Sequence, residues 1–287
     1  MYDKCYGLTV GQLLQKAVSS CPDKEVVYDS SHRITYGELD RLSTQLALGL
    51  HHHLDVQKGD RVAVCLPNWH EFLVVYFAAS KLGAILVPMN TRYRREEVEY
   101  ILNDSGAKVA FVPREFGGIP HLEMFEEMLD KAPSLEQLIT VRYEDDDHPS
   151  LRRLIEEKYD APFPAIDIDY EEDIFTILYT SGTTGRPKGA MLTHRNVVHT
   201  GTISAEAMQC TPDDVFLVAV PVFHVFGMVP SIITAVSAEA RMVFMDVYKA
   251  EDALKLIEQE KITVHHGVPT MFILELNHPN FEKYDLS

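Results

Sequence analysis

The sequence predicts an α/β protein of two lobes, each made of parallel-sheet βα units with helices on both faces. Three observations predict it. Short apolar runs recur without polar interruption, as strands buried on both faces require. Between them, apolar residues repeat at helical spacing. An acidic, proline-bearing stretch near the middle separates two such series. Repeated βα units build parallel sheets covered by helices. The expected division is a first lobe over 1–165 and a second over 166–287.

In chain order, Thr35 and Glu38 form a capping-box signature, and Leu39, Leu42, Leu46 and Leu50 then fall on one helical face. Val62–Leu66 reads as the first buried strand. Asn68 and Glu71 read as a second, weaker cap for a helix through Phe72–Ala79, whose stripe Phe72, Val75, Tyr76 and Ala79 is core packing. Ile85–Val87, Val109–Val112 and Leu138–Val141 are further strands. Between Glu144 and Asp173 lie 12 acidic and 3 basic residues, more than half of the net charge of −17, and this stretch reads as a solvated surface or linker. Phe175–Tyr179, Val215–Val218, Met242–Met245 and Ile262–Val264 continue the strands. A helix follows Thr193, and another runs Ala250–Glu260 with Ala250, Ala253, Leu254 and Ile257 on one face.

The 287 residues can bury roughly three quarters of their unfolded surface, enough for a core without staples. The acidic balance gives no basic face for nucleic acid. Cys5, Cys21, Cys65 and Cys210 form no CxxC pair and read as reduced thiols of a cytoplasmic protein. The N-terminal residues have neither a signal-peptide nor a membrane-span pattern, so no integral membrane contact is expected, and any membrane contact would be peripheral. His51, His52 and His53 are consecutive on a helix end, so their rings splay apart and face solvent. His265 and His266 point to opposite faces of a strand, so at most one faces a site. Arg92, Arg94 and Arg95 read as a solvated patch paired with Glu96, Glu97 and Glu99.

One segment carries chemistry: Tyr179-Thr180-Ser181-Gly182-Thr183-Thr184-Gly185-Arg186-Pro187-Lys188-Gly189. Eleven residues hold three glycines, four aliphatic hydroxyls and a lysine, directly after a strand. Glycines let backbone N–H groups wrap an anion, hydroxyls donate to phosphate oxygens, and lysine adds a compact positive charge. The spacing does not fit GxxxxGK[ST], so this is a polyphosphate cradle other than the Walker loop. A second candidate is His224, between Phe223 and Phe226 just after a strand. Taken alone, Phe223, Val225, Phe226, Met228 and Val229 are an apolar strand end and helix start.

These residues resemble the adenylate-forming (AMP-binding) enzyme superfamily, in its acyl-CoA synthetase or fatty-acid–CoA ligase branch. Tyr179–Gly189 is similar to its phosphate-binding signature. Ile34–Leu39 is similar to "TYxEL", Lys81–Asn90 to "GAxxVPxN", and Pro221–Gly227 to "P-x-F-H-x-x-G". Thr263 through Thr270 resembles the segment leading toward the acyl pocket. The resemblance implies an acid–thiol ligase that uses ATP, Mg2+ and CoA. A fatty or aryl carboxylate attacks the α-phosphate, and a thiol then attacks the acyl-adenylate. It implies that Thr180, Ser181, Gly182, Thr183, Thr184, Gly185 and Lys188 bind the β- and γ-phosphates. Mg2+ would be carried by ATP, with Thr183 and Thr184 its only candidate protein contacts. His224, Phe223, Val225, Phe226 and Gly227 are then the acid-binding set, with Lys188 and His224 catalytic. A homodimer is an admissible assembly.

Several elements of that superfamily have no equivalent here: "GGAP", "YGxTE", the ribose-binding Asp and the small C-terminal domain. The expectation is an N-terminal part, unable to complete thioester formation alone and prone to associate through an open sheet edge. Where relatives carry a Gly near Glu239, this chain has Ala238-Glu239-Ala240, a charge expected to be exposed. A non-catalytic nucleotide- or acyl-binding module is the alternative. An amino-acid adenylation domain is disfavoured because Val225–Met228 holds no acid, and a luciferase-like enzyme is a further alternative.

Overall fold

The computed structural model describes residues 2–30, 32–157, 159, 162–180 and 186–286. The chain opens with α1 (Val10–Ser20), β1 (Glu25–Tyr28), β2 (Arg33–Thr35), α2 (Tyr36–Leu54), β3 (Arg61–Val64) and α3 (His70–Leu82). It continues through β4 (Ile85–Pro88), α4 (Arg95–Ser105), β5 (Val109–Pro113), α5 (His121–Leu129), β6 (Gln137–Val141) and α6 (Leu151–Glu156). There follow β7 (Ile174–Thr180), β8 (Lys188–Thr193), α7 (His194–Ala207), β9 (Val215–Val218) and a π-helical turn, Gly227–Ile233, that runs into α8 (Thr234–Ser237). Last come β10 (Arg241–Phe244), α9 (Ala250–Glu260), β11 (Val264–His266) and α10 (Pro269–Leu276).

The α/β expectation holds, with two parallel-dominated sheets. One has the order β11-β9-β10-β1-β2, the other β6-β5-β3-β4-β7-β8. Among the described strands, only the edge strands β2 and β8 run antiparallel to their neighbours. Each sheet draws strands from both sides of residue 165, so the sheets do not follow the two halves of the sequence.

The central strands are buried on both faces, and successive side chains enter different cores as the pleat demands. Val62, Val64, Phe216 and Val218 face one central core shared with α1, α2, α3, α7 and α8. Ala63 and Cys65 face a second core under α4 and α5. Leu217 and Val243 face a third core against α9. The helices of the middle layer are therefore common to both sheets.

Local chemistry sets the boundaries. Thr35 accepts from Glu38 N while the Glu38 carboxylate accepts from Thr35 N, so the predicted capping box forms. Thr193 and Asn196 make the same reciprocal pair at α7. The second predicted cap does not form. The helix starts after Trp69 without a side-chain cap, because Asn68 and Glu71 are engaged elsewhere. The predicted strand Ile262–Val264 lies two residues later. Lys261 adopts a left-handed conformation and Ile262 N bonds back to Ile257 O, so Ile262 closes α9. The acidic stretch is exposed for much of its length, yet Phe163, Ile166 and Tyr170 pack on the central core and anchor it. Glu239, expected to be exposed, is 8% exposed, holds φ 56° and pairs with Lys16 at 2.8 Å.

Candidate active site

Parallel sheets place ligand-binding groups beyond the carboxyl ends of their strands. Three sets of residues gather there. The first is the foot of the phosphate-type segment. Thr180 ends β7 and faces Lys188 at the start of β8, with Tyr179 facing Gly189. Thr180 and Lys188 are exposed. Among the described residues the Lys188 ammonium makes no hydrogen bond or ion pair. A Cβ at Gly189 would stand 2.7 Å from Ile177 Cγ2 and 3.3 Å from the Tyr179 ring, so only glycine lets these side chains cross β8. Ser181, Gly182, Thr183, Thr184 and Gly185 lie outside the described residues.

The second set follows β9. His224 N donates to Pro221 O at 3.1 Å, closing a turn. Gly227 seals it, since a Cβ there would press on the Pro221 carbonyl and lie 2.9 Å from Val222 Cα. The predicted strand end at Phe223 is this turn, and the helical part begins at Val225. Pro230 sits inside the π-helical turn, where it has no N–H to give the ladder. π-turns are common at functional sites. His224 is exposed, Val225 is 40% exposed, and Phe223 and Phe226 are half-buried. Phe226 N donates to His224 Nδ1 at 3.2 Å. A neutral His224 therefore carries its proton on Nε2, free to donate to an acid.

The third set was only half legible in the sequence. His266 ends β11 and shares a hydrogen bond of 3.0 Å with Ser231 Oγ of the π-turn. Its ring lies 5.7 Å from both Phe216 and Phe226. Burial, then the neighbouring His265, lowers its pKa. His265 points the other way, to Glu275 at 3.0 Å, as the strand period requires. The opposed faces of His265 and His266 were legible; the serine partner, 35 residues away, was not.

Asn68 joins the strand ends of the two sheets. Its NH2 group, with two N–H donors, lies 3.0 Å from each of Val218 O, Val220 O and Met245 O, so one donor is shared, and its Oδ1 accepts from Val222 N at 2.9 Å. The structure thus brings Thr180 to Lys188, and gathers His224, Phe223, Val225, Phe226 and Gly227 into one turn. No hydrogen bond or ion pair among the described residues links the two groups.

A cavity of about 660 Å³ lies elsewhere. It opens between α2, α3 and α6, over His70, Glu71 and Arg142, and none of the candidate residues lines it. Donor atoms of Asp29, His32 and His70 there lie within 4.8 Å of one another. Asp29 already accepts from His32 N, His70 N, His70 Nδ1 and the Arg142 guanidinium, and Arg142 also grips Glu71 at 2.7 and 2.9 Å. A fixed guanidinium on the carboxylate opposes a cation, so this cluster is structural. The arginine patch is also corrected: Arg95 pairs with Glu127 across α4 and α5 at 2.7 Å, and Glu97 caps Arg94 N. The expected splay of the three histidines is only partial: the His51 and His52 rings meet edge to face at 4.9 Å, His51 Nδ1 lies 3.3 Å from Val56 O, His52 stacks on Tyr159 and His53 pairs with Glu157.

Comparison with known proteins agrees with this architecture. The family described as AMP-binding enzyme matches residues 14–287. A putative acyl-CoA synthetase of Bacillus subtilis (strain 168), YngI, is 36% identical over 97% of this chain and 54% of its own length. The inhibitor-bound N-terminal domain of FACL13 from Mycobacterium tuberculosis superposes with TM-score 0.85 at 29% identity, over 97% of this chain and 67% of that one. The anthranilate CoA ligase AuaEII, in complex with anthranoyl-AMP, gives TM-score 0.88 at 25% identity, over 98% of this chain and 53% of that one. The chain spans about half the length of the curated relatives it matches.

Proposed function

The chain belongs to the AMP-binding enzyme family, and from that premise we propose that it supplies the phosphate- and acid-binding part of an acyl-CoA synthetase. The reaction is acid + ATP + CoA to acyl-CoA + AMP + pyrophosphate, through an acyl-adenylate, with a fatty or aryl acid as substrate. The observation that carries this reading is Lys188: an exposed cation, without a partner among the described residues, fixed opposite Thr180 at the end of a glycine- and hydroxyl-rich segment.

Pyrophosphate leaves with a large negative charge, and charge that develops in a transition state is best met by donors already in place. Lys188 and the Thr180 hydroxyl are such donors. Ser181, Gly182, Thr183, Thr184 and Gly185 belong to the same proposed cradle. Mg2+, arriving with ATP, would neutralise phosphate charge; the described residues offer no donor set of their own for it, and Thr183 and Thr184 are its candidate contacts. His224 Nε2–H orients the acid by donating to a carboxylate oxygen, while Phe223, Val225 and Phe226 give its apolar body a wall and Gly227 keeps the turn closed.

Pyrophosphate release from Mg-ATP, measured with short, medium, long and aromatic acids, tests the reading. Release dependent on one acid class and lost in Lys188→Ala supports it and names the substrate. AMP formation that is acid-dependent and increased by CoA marks a ligase. Nucleotide binding unaffected by Lys188→Ala overturns the assignment.

A further inference from the structure

Both feet of the phosphate-type segment are tied to one helix. At the entry, Tyr179 Oη donates to Asp104 Oδ2 at 2.7 Å. At the exit, Tyr100 Oη donates to Pro187 O at 3.0 Å. Tyr100 and Asp104 stand four residues apart on α4, so they share a face one turn apart, roughly 6 Å. Paired strands lie about 4.8 Å apart. One helical turn therefore matches the separation of the two strands it holds.

Three further contacts brace the arrangement. The rings of Tyr100 and Tyr179 meet edge to face, 6.4 Å between centroids at 86°. The Arg186 guanidinium lies 5.8 Å from the Tyr100 ring. The Tyr179 ring runs over Gly189, where a Cβ would stand 3.5 Å from its hydroxyl. Tyr100 and Tyr179 also pack on the core beneath α4, so the anchors rest on a rigid element.

We infer that α4 is a clamp on this segment, and that Tyr100 and Asp104 are positioning residues whose hydrogen bonds fix the spacing of its feet and thereby the affinity for a nucleoside triphosphate. This rests on the reading that the segment binds phosphate. Holding both strand ends in place before the ligand arrives lowers the ordering cost of binding. The clamp touches no ligand; it acts through Thr180 and Lys188, the residues next to its anchor points.

Calorimetric titration with Mg-ATP, beside thermal melts, tests it in Tyr100→Phe, Asp104→Ala, Asp104→Asn and Lys188→Ala. Each lost hydrogen bond should weaken Mg-ATP binding about fivefold. Tyr100→Phe keeps its ring and Asp104 is exposed on a helix, so the melting temperature should fall by no more than about 2–4 °C and the fold should stay intact. Asp104→Asn keeps an acceptor oxygen and should recover most of the affinity that Asp104→Ala loses, which a merely structural residue would not require. Wild-type affinity in both Tyr100→Phe and Asp104→Ala, with binding lost in Lys188→Ala, overturns the clamp and leaves the phosphate reading standing. Wild-type affinity in Lys188→Ala overturns the phosphate reading, and the clamp falls with it.

Discussion

Lys188 is the residue whose loss should separate chemistry from folding. It is exposed at the start of an edge strand, where substitution removes a charge but no packing. Charged hydrogen bonds contribute about 1.5–3 kcal/mol each. Lys188→Ala should therefore weaken Mg-ATP binding at least tenfold in a titration while the melting temperature stays unchanged. Gly227 is the opposite case. Its place under the Pro221 carbonyl leaves no room for a methyl group, so Gly227→Ala should cost ~1–3 kcal/mol in urea denaturation and displace the His224 turn. Glu239 shows how a departure from the expected glycine is accommodated. It takes a left-handed backbone that a side chain disfavours, and its carboxylate is held by Lys16.

At the scale of elements, the decisive contact is Asn68. One amide reaches three carbonyls with its two N–H donors, one of them shared, and takes one N–H on the chain around β9 and β10, while standing on the chain after β3. It is 3% exposed. Asn68→Ala would leave several buried groups without partners, at a cost of about 3 kcal/mol, and chemical denaturation should show that loss. Leu at the same place should not recover it, because the orphaned groups remain. The sequence shows an asparagine next to a helix start, and capping is what that residue usually does there. Its real partners are more than 150 residues away, apart from Val218 at 150, and no local pattern carries them. The Thr35–Glu38 box was legible because both partners sit within one helical turn.

For the whole molecule, a histidine buried in the shared middle layer bears on pH behaviour, and the outer edge of one sheet bears on assembly. His194 is fully buried at the start of α7, accepts from Val10 N on Nδ1, and has Nε2 without a partner among the described residues. Burial lowers its pKa to about 4, against about 6.5 in an unfolded chain. Above pH 6.5 both states are neutral and nothing is lost. Between 6.5 and 4 the unfolded chain takes the proton first, so stability falls as pH falls. Denaturation midpoints should drop over that window, and His194→Asn, which keeps an acceptor for Val10 N, should show a shallower drop. At the outer edge, β11 has one unpaired side, and α10 exposes Ile273, Leu274 and Leu276 by more than half. Open apolar edges favour association. Light scattering during size exclusion should find species larger than one chain; a monodisperse, cooperatively melting monomer would contradict this.

The sequence by itself determined the α/β class, the strands buried on both faces, the helix capped by Thr35 and Glu38, and the glycine- and hydroxyl-rich run that follows β7. All of these are written in spacings of eleven residues or fewer, where steric and hydrogen-bonding rules act along the chain. Tertiary structure alone decided that the sheets interleave the two halves, that Asn68 bridges them, that His266 meets Ser231, and that α4 grips both feet of the segment. Those contacts join residues far apart in sequence, and their strength comes from geometry that exists only after the sheets have closed on the shared layer of helices.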